Sequence, residues 1–416
     1  MNDRKYLFIH SARRVSVVKK EEQIEEVFIN EAKPINAGDL RPPEEIAHDQ
    51  KRLYYKEFFK KQFKNFLVLS GAGSSIGIGE GKGGMSMWNL WKHAEETIGK
   101  ENFDALCKYV DCATDKPNLE SLLSLIEGHI KFSPKKNGNE APKDKNNLPN
   151  LEEYKETILG IIRDRCSLAA PRDETKFPHV QFLRKITQRK ATLPRIKIFT
   201  LNYDLLFEQA ANIIGAVVLD GFSFTTPRIF SGRYFDYDIV QREKSRLKDE
   251  DNFISRLFHL YKLHGSLNWE KEKDANGNGV DGKIVMNINA AEPLMVYPRE
   301  SKYENSYEQP FFEMVARFQQ NLRLDDSVLV CIGYSFGDKH INAVITEALN
   351  QNPGFQLVIV NPGFDGDNEK FQMLLKEAKG SERILMVDET FVDFTHYFPE
   401  IQTYYQEPET QPVNLS

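Results

Sequence analysis

Five short motifs hold most of the residues that can do chemistry: GAGSS at 71–75, TLNYD at 200–204, HGS at 264–266, GYSFGD at 333–338 and NP at 361–362. Each begins where a short apolar run ends. Before the first, Phe66-Leu67-Val68-Leu69 is an unbroken apolar run stopped by glycine, the pattern of a strand buried on both faces of a parallel sheet. Gly71-Ala72-Gly73 lets the backbone turn sharply and approach a ligand closely. Ser74 or Ser75 can cap a helix behind it, and unpaired N–H groups at such a helix start attract a diphosphate. That chemistry suits a dinucleotide held at the edge of an α/β sheet.

The ordinary dehydrogenase fingerprint is not met. Ile76 stands where GxGxxG needs its third glycine, and the acidic residues about 20 positions on, Glu95 and Glu96, fall inside an apparent helix. A plain tight turn is the competing reading of GAGSS by itself.

The elements that must position the motifs are those of an α/β chain. Apolar residues recur at helical spacing from Glu44 to Lys64, ahead of the first strand. Five glycines between Gly77 and Gly84 predict a mobile loop over the ligand, and Ser86 is a cap for a helix holding Trp88 and Trp91. Trp88 would stack on a base or, more simply, fill a core. Helical patterns follow to residue 190, broken at 133–150 by a polar, Pro- and Lys-rich stretch read as exposed loop. The sheet resumes at Arg195–Thr200, and a helix then runs from Leu205 to Ile213. Further strands follow at Ala216–Leu219, Leu257–Leu263, near Ile284–Met286 and at Leu294–Tyr297, with a hairpin turn at DANGNGVDG. Then come a helix at Gln309–Arg323, strands at Val328–Ile332, Phe355–Val360 and Arg383–Val387, and intervening helices. Strand–loop–helix repetition predicts a doubly wound parallel sheet, whose ligands sit outside the carboxyl ends of the strands. Residues 1–43 read as an N-terminal extension, either a strand-bearing arm or a poorly ordered tail, 44–399 as the main domain with a helical insertion at about 85–190, and 400–416 as a tail.

Composition narrows the classes. The chain has 416 residues, 40% hydrophobic and 28% charged, with net charge -6, which argues against an electrostatic grip on nucleic acid. Its four cysteines, Cys107, Cys112, Cys166 and Cys331, contain no CxxC pair and read as buried thiols. No apolar run is long enough for a signal peptide or a membrane span, so the expectation is a cytoplasmic protein.

Taken in order, GAGSS, TLNYD, His264-Gly265, GYSFGD and VNP (360–362) resemble the NAD-binding domain of the sirtuins, from about Asn65 to Val387. The resemblance implies a Rossmann-like fold and NAD as substrate. Two departures accompany it: the zinc ribbon of the deacylase sirtuins has no counterpart, and GEGKGGMSMW stands where their phosphate loop continues with a Pro-Asp-Phe-Arg run. In this respect the chain is more similar to bacterial sirtuin-like proteins that hydrolyse NAD in antiphage defence. A free-standing chain with an N-terminal extension is similar to those encoded beside a HerA-type hexameric ATPase, which implies an oligomer controlled by a partner.

The resemblance carries roles onto residues. Gly71, Ala72, Gly73 and Ser74 would cradle the diphosphate; Gly333 and Ser335 would approach the adenosine ribose and Asn361 its hydroxyls. Asn202, an amide able to donate and accept, would orient the nicotinamide ribose and an attacking water. Asp204 would hold the ribose side or the nicotinamide pocket, or cap the following helix. His264 would be the general base, since its ordinary pKa lies near neutrality. Asp338 would bond a ribose hydroxyl or cap a helix. Nicotinamide leaves as a neutral molecule, so the expected reaction is cleavage of its bond to ribose through an oxocarbenium-like transition state, without a metal. Protein deacylation or ADP-ribosyl transfer, and non-catalytic binding of NAD or ADP-ribose, are the competing functions.

Overall fold

The computed structural model describes residues 4–21, 23–33, 41–114, 118–132, 151–190, 192–241, 253–275, 279–290, 293–295 and 309–400. The polar stretch 133–150, the tail from 401 onward, the middle of the DANGNGVDG turn and Tyr297 lie outside the described residues.

A ten-stranded sheet runs through the molecule. Seven of its strands are parallel: β4 (Asn65–Ser70), β5 (Ile196–Thr200), β6 (Val217–Leu219), β8 (Leu257–Lys262), β11 (Ser327–Ile332), β12 (Phe355–Val360) and β13 (Ile384–Val387). Their order across the sheet is β13-β12-β11-β4-β5-β8-β6. Strands β1 (Lys5–His10), β2 (Arg13–Lys20) and β3 (Gln23–Ile29) extend the β13 edge as an antiparallel set. Every residue of β4, β8 and β11 is buried, which explains the continuous apolar runs of β4 and β11. Successive side chains point to opposite faces, so Phe66 and Val68 join one core while Leu67 and Leu69 join another.

On the first face lie α1 (Pro43–Phe59), α6 (Pro178–Ile186), α7 (Leu206–Ile214) and α11 (Phe391–Tyr397). On the second lie α8 (Phe311–Leu322), α9 (Lys339–Gln351) and α10 (Glu369–Ala378), with Trp269 and Ile284 from a small sheet of β7 (Arg228–Ile229), β9 (Trp269–Lys273) and β10 (Gly279–Met286). The result is a Rossmann-type α/β fold with helices on both faces of a mostly parallel sheet. Helices α2 (Met87–Ile98), α3 (Lys100–Tyr109), α4 (Leu119–Phe132) and α5 (Leu151–Cys166) bury their apolar stripes in one another as a third core. Among the described residues no helix is long and apolar enough to cross a membrane.

Several expectations are corrected. Of the two readings of the N-terminal extension, the strand-bearing arm holds and it joins the core: Leu7, Phe8, Val15 and Val17 are buried on the first face, and β1 hydrogen-bonds to β13. Helix α6 packs on the sheet rather than with the helices of 85–166. Trp88 is exposed, and Trp91 is the one that fills a core, edge-on to Phe103 at 4.9 Å. Between β6 and β8 lie β7 and a 3-10 turn at Gly232–Asp236, and α11 follows β13, elements that the sequence pattern did not predict. Ser86 caps α2 as expected, accepting from Asn89 N.

Candidate active site

One register row aligns the motifs. Ser70 is paired with Thr200 and with Ile332; Thr200 is paired with Lys262, Ile332 with Val360, and Val360 with Val387. Gly71, Leu201, Leu263, Gly333 and Asn361 are the next residues on their strands, so all five motifs leave the sheet side by side. Strands β5, β8 and β6 lie to one side of β4, and β11, β12 and β13 to the other. The chain therefore reverses its direction of winding between β4 and β11, the place where open α/β sheets form their ligand crevice.

At that point two loops are packed backbone to backbone. A Cβ on Gly73 would stand 2.6 Å from Gly333 Cα, and one on Gly333 would stand 2.5 Å from Gly73 Cα. Only glycine on both sides allows this approach. Gly71 N donates to Ile332 O at 3.0 Å and Gly73 N to Gly333 O at 2.9 Å, while Ser74 N and Ser75 N close back on Gly71 O and Ala72 O. The expected α-helix start is thus a single 3-10 turn, Ala72–Ser74, because these N–H groups already donate to carbonyls. Ala72 is exposed, and its N–H has no partner among the described residues. The cradle assigned to Gly71, Ala72, Gly73 and Ser74 reduces to that one backbone donor, and the glycines serve chiefly to interlock the loops.

Asn202 is latched to the same loop. Its Nδ2 lies 3.0 Å from Gly71 O, 3.1 Å from Ser74 Oγ and 2.9 Å from Ser75 Oγ. Its backbone N donates to Thr200 Oγ1 at 3.1 Å. Its amide oxygen Oδ1 has no partner among the described residues. Ser74 Oγ also meets Ser70 Oγ at 2.6 Å and Gly71 O at 2.9 Å, so it is buried in the network. Asp204 accepts from Ser75 Oγ at 2.7 Å and, through its other oxygen, from Leu206 N at 3.1 Å. It therefore satisfies the first N–H of α7, whose N-cap position is Leu205, and braces the glycine loop.

A buried ion pair sits beneath TLNYD. Lys262, the last residue of β8 and 2% exposed, reaches the backbone oxygens of Asp204 and Tyr203 and lies 3.0 Å from Glu208 Oε1. Burial pushes the Glu208 carboxyl up, and Lys262 opposes that shift. The sequence carried a signal here: a lysine closing a mostly apolar strand, immediately before Leu263-His264.

His264 leaves β8 two residues past Lys262, as Asn202 leaves β5 two residues past Thr200. Its Nε2 lies 3.1 Å from Asp338 Oδ2. The other Asp338 oxygen accepts from His340 N at 2.8 Å and Ile341 N at 3.3 Å, capping α9. One carboxylate thus starts a helix and orients the histidine. Tyr334 OH lies 2.7 Å from Asn342 Oδ1 and 3.2 Å from Asp338 O, which fixes the turn between β11 and α9. Ser335 is exposed, with no partner among the described residues. Asn361 Nδ2 donates to Tyr334 O at 3.3 Å and joins the turn after β12 to the GYSFGD turn.

The Gly-rich loop is anchored rather than free, correcting the reading of a mobile flap. Glu80 N donates to Ala169 O at 2.9 Å, and Lys82 Nζ lies 2.7 Å from Asp164 Oδ1 at the end of α5. A cavity of about 300 Å³ opens beside the motifs, lined by Arg163, Ser167, Leu168, Leu205, Leu267 and Asn268 among others. It lies between the end of α5 and the TLNYD and HGS loops. Among the described residues no group of three or more His, Cys, Asp or Glu side chains is placed to hold a metal ion.

The arrangement supplies a hydrogen-bonding amide, a histidine with a carboxylate behind it, a free hydroxyl and an exposed backbone N–H at one sheet end. These groups fit a polar ligand carrying hydroxyls and phosphates. No curated protein matches the chain. Residues 196–384 match the family model of the SIR2-like domain, a stretch that takes in TLNYD, HGS, GYSFGD and NP and leaves GAGSS outside. The four motifs in that stretch are among the five that the register row brings together, and the match supports a sirtuin-like protein with NAD-dependent activity.

Proposed function

We propose that the chain is an NAD glycohydrolase that cleaves the nicotinamide–ribose bond to give nicotinamide and ADP-ribose. The observation that carries this reading is the pairing of two differently prepared groups past the ends of adjacent strands. Asn202 has its amide hydrogens committed to the glycine loop and its oxygen uncommitted. His264 is held from one side by Asp338.

In this mechanism Asn202 Oδ1 accepts from the nicotinamide ribose or from the attacking water and sets its position. The glycosidic bond breaks as positive charge spreads over the ribose ring, and nicotinamide leaves neutral. His264 takes the proton from the water that adds to the anomeric carbon, and Asp338 stabilises the imidazolium that forms. Ser335 and Asn361 contact the adenosine hydroxyls, and Ala72 N–H meets a phosphate oxygen. Lys262 and Glu208 hold TLNYD from below and touch no substrate. The antiphage, NAD-depleting role and control by a HerA-type ATPase are part of the same proposal; they rest on the resemblance of the motifs to bacterial sirtuin-like NAD hydrolases.

Chromatography of the purified chain incubated with NAD alone tests the reaction. Release of nicotinamide and ADP-ribose by wild type, with loss in His264→Ala and Asn202→Ala, is the expected result. Release that requires an acylated peptide would point to deacylation instead. NAD binding without turnover, with or without a HerA-type partner, would overturn the hydrolase reading.

A further inference from the structure

The helical unit contains a pair of thiols that the proposed reaction does not use. Helix α3 ends in a left-handed turn. Asp111 has φ 57, and Cys112 N donates to Cys107 O at 2.8 Å. This is the six-to-one hydrogen bond of a Schellman ending, which folds the chain back so that the side chains at its two ends face each other. Here both of those side chains are cysteines: Cys107 lies within the core of the helical unit, and Cys112 packs against that same core. Cys107 is buried with Leu106, Phe103 and Trp91, whereas Cys112 is half-buried at the rim.

We infer that Cys107 and Cys112 form a reversible modification site, a dithiol that peroxide or a small disulfide oxidant converts to an intrachain disulfide. The asymmetry of the pair sets the order of events. The neighbouring Cys107 holds the pKa of Cys112 below the ordinary thiol value, whereas Cys112 and burial together raise that of Cys107. Cys112 is therefore the more reachable and the more thiolate-like sulfur, the profile of an attacking residue with a resolving partner beside it. The Cys112 thiolate attacks one peroxide oxygen; the O–O bond breaks, and hydroxide leaves and is protonated. Cys112 is then a sulfenic acid. Cys107 Sγ attacks the Cys112 sulfur, the S–O bond breaks, and water departs with the Cys107 proton. Two thiols and one peroxide give one disulfide and two waters. Two exchanges with a dithiol reductant reverse the change.

The other two cysteines have no such arrangement. Cys331 is fully buried in β11, and burial pushes its thiol up. Cys166 closes α5, and burial raises it to about 12.

Native protein treated with stoichiometric hydrogen peroxide, blocked with an alkylating reagent and digested without reductant provides the test. Trypsin cuts after Lys108, so a disulfide leaves the peptide 101–108 joined to the one beginning at Tyr109. The joined peptides should dominate the oxidised product and vanish on treatment with a dithiol, while Cys331 oxidation lags by at least about tenfold. In Cys107→Ser, Cys112 should stop at the sulfenic acid, trapped by a dimedone-type probe. Should that variant fail to fold, alkylation rates in reduced wild type replace it, with Cys112 the fastest of the four. Both cysteines remaining thiols, prior reaction at Cys166, or joined peptides from unfolded but not from native chain would each overturn the inference.

Discussion

The two ends of the parallel sheet are built from different materials. At the amino end, rings crowd together: Phe398 lies 4.8 Å from Phe59, 5.3 Å from Phe394 and 5.9 Å from Phe182. The polar group embedded there, Arg189, donates to Phe63 O at 2.6 Å and Lys64 O at 3.0 Å, closing a chain turn. A cavity of about 450 Å³ opens at this end, lined by Phe59, Phe63, Phe66, Arg189, Leu193 and Phe398 among others. At the carboxyl end a smaller cavity of about 300 Å³ lies between the end of α5 and the loops, and the hydrogen-bonded amide, histidine, carboxylate and hydroxyls stand on the motifs at the strand ends. Volume and chemistry are thus separated along the strands. The amino end stabilises the fold, and the carboxyl end positions the groups proposed to react.

The sharpest way to break this comparison is a pair of substitutions, one at each end. His264→Ala should lower NAD cleavage by about 10²- to 10⁴-fold, the usual contribution of a general acid or base, with little change in melting. Phe398→Ala should cost about 3–5 kcal/mol of stability and leave turnover per folded molecule unchanged. Kinetics and denaturant titration of both variants check the pair. If Phe398→Ala abolished turnover in fully folded protein, the two ends would not be independent.

Next in size is a pH effect confined to the stabilising side. His179 is fully buried among Phe177, Phe207 and Phe391, and neither ring nitrogen has a hydrogen-bond partner among the described residues. Burial pushes it down to about 3. His259 is likewise pushed down to about 3, first by burial and then by Lys197. Folded protein keeps these rings neutral, while the unfolded chain protonates them near pH 6.5. The unfolded state therefore binds more protons below that pH. Stability is complete above about pH 6.5 and falls as pH drops toward 3. By pH 4, His179 should remove on the order of 3 kcal/mol. His179→Phe should raise stability at neutral pH and flatten this acid limb, as read by urea titration at several pH values. An unchanged acid limb would show that the ring is not held neutral.

How much of this was legible in the sequence depends on the distance over which contacts act. Phe66–Leu69 announced a buried strand because burial on both faces writes a continuous apolar run into the chain. The five motifs were legible because each follows a short strand, and parallel pairing in register then aligns them without further information. GAGSS misled in one respect. A glycine turn followed by serines looks like a helix start, but Gly71 and Gly73 donate to Ile332 and Gly333, on a strand that only the tertiary fold brings alongside. The His264–Asp338 and Lys262–Glu208 pairs were out of reach for the same reason. They join residues 74 and 54 positions apart, and only the strand order makes them neighbours. Of the two roles open to Asp338, the cap is the one the structure shows, and it was legible because capping is local.

That double duty of Asp338 gives the next prediction. Asparagine caps helices about as well as aspartate, so Asp338→Asn should leave stability nearly unchanged. It should remove the charge behind His264. A hydrogen bond to a charged group is worth about 1.5–3 kcal/mol, or about ten- to a hundredfold in rate. The loss should appear in kcat more than in KM, with a shifted pH–rate profile. A variant that melts early at full activity would make Asp338 a cap alone.

The smallest expected effect tests the loop interlock that both halves of the site share. Gly333 and Gly363 both hold positive φ, 60 and 70, at the same sheet end. An added Cβ at Gly363 meets nothing within 4 Å, so Gly363→Ala pays only the left-handed backbone strain, about 1 kcal/mol. At Gly333 the same Cβ strikes the backbone of Gly73, and neither side can yield as a flexible side chain would. Gly333→Ala should therefore lose about 1–3 kcal/mol beyond the Gly363→Ala control. Separating the loops also shifts Gly71 O, Ser74 and Ser75, the three partners that aim Asn202. Turnover should then fall in Gly333→Ala and hold in Gly363→Ala, with folded fraction matched. Equal behaviour of the two alanines would mean that the glycines answer only to local backbone geometry, and that Asn202 is aimed from the β5 side alone.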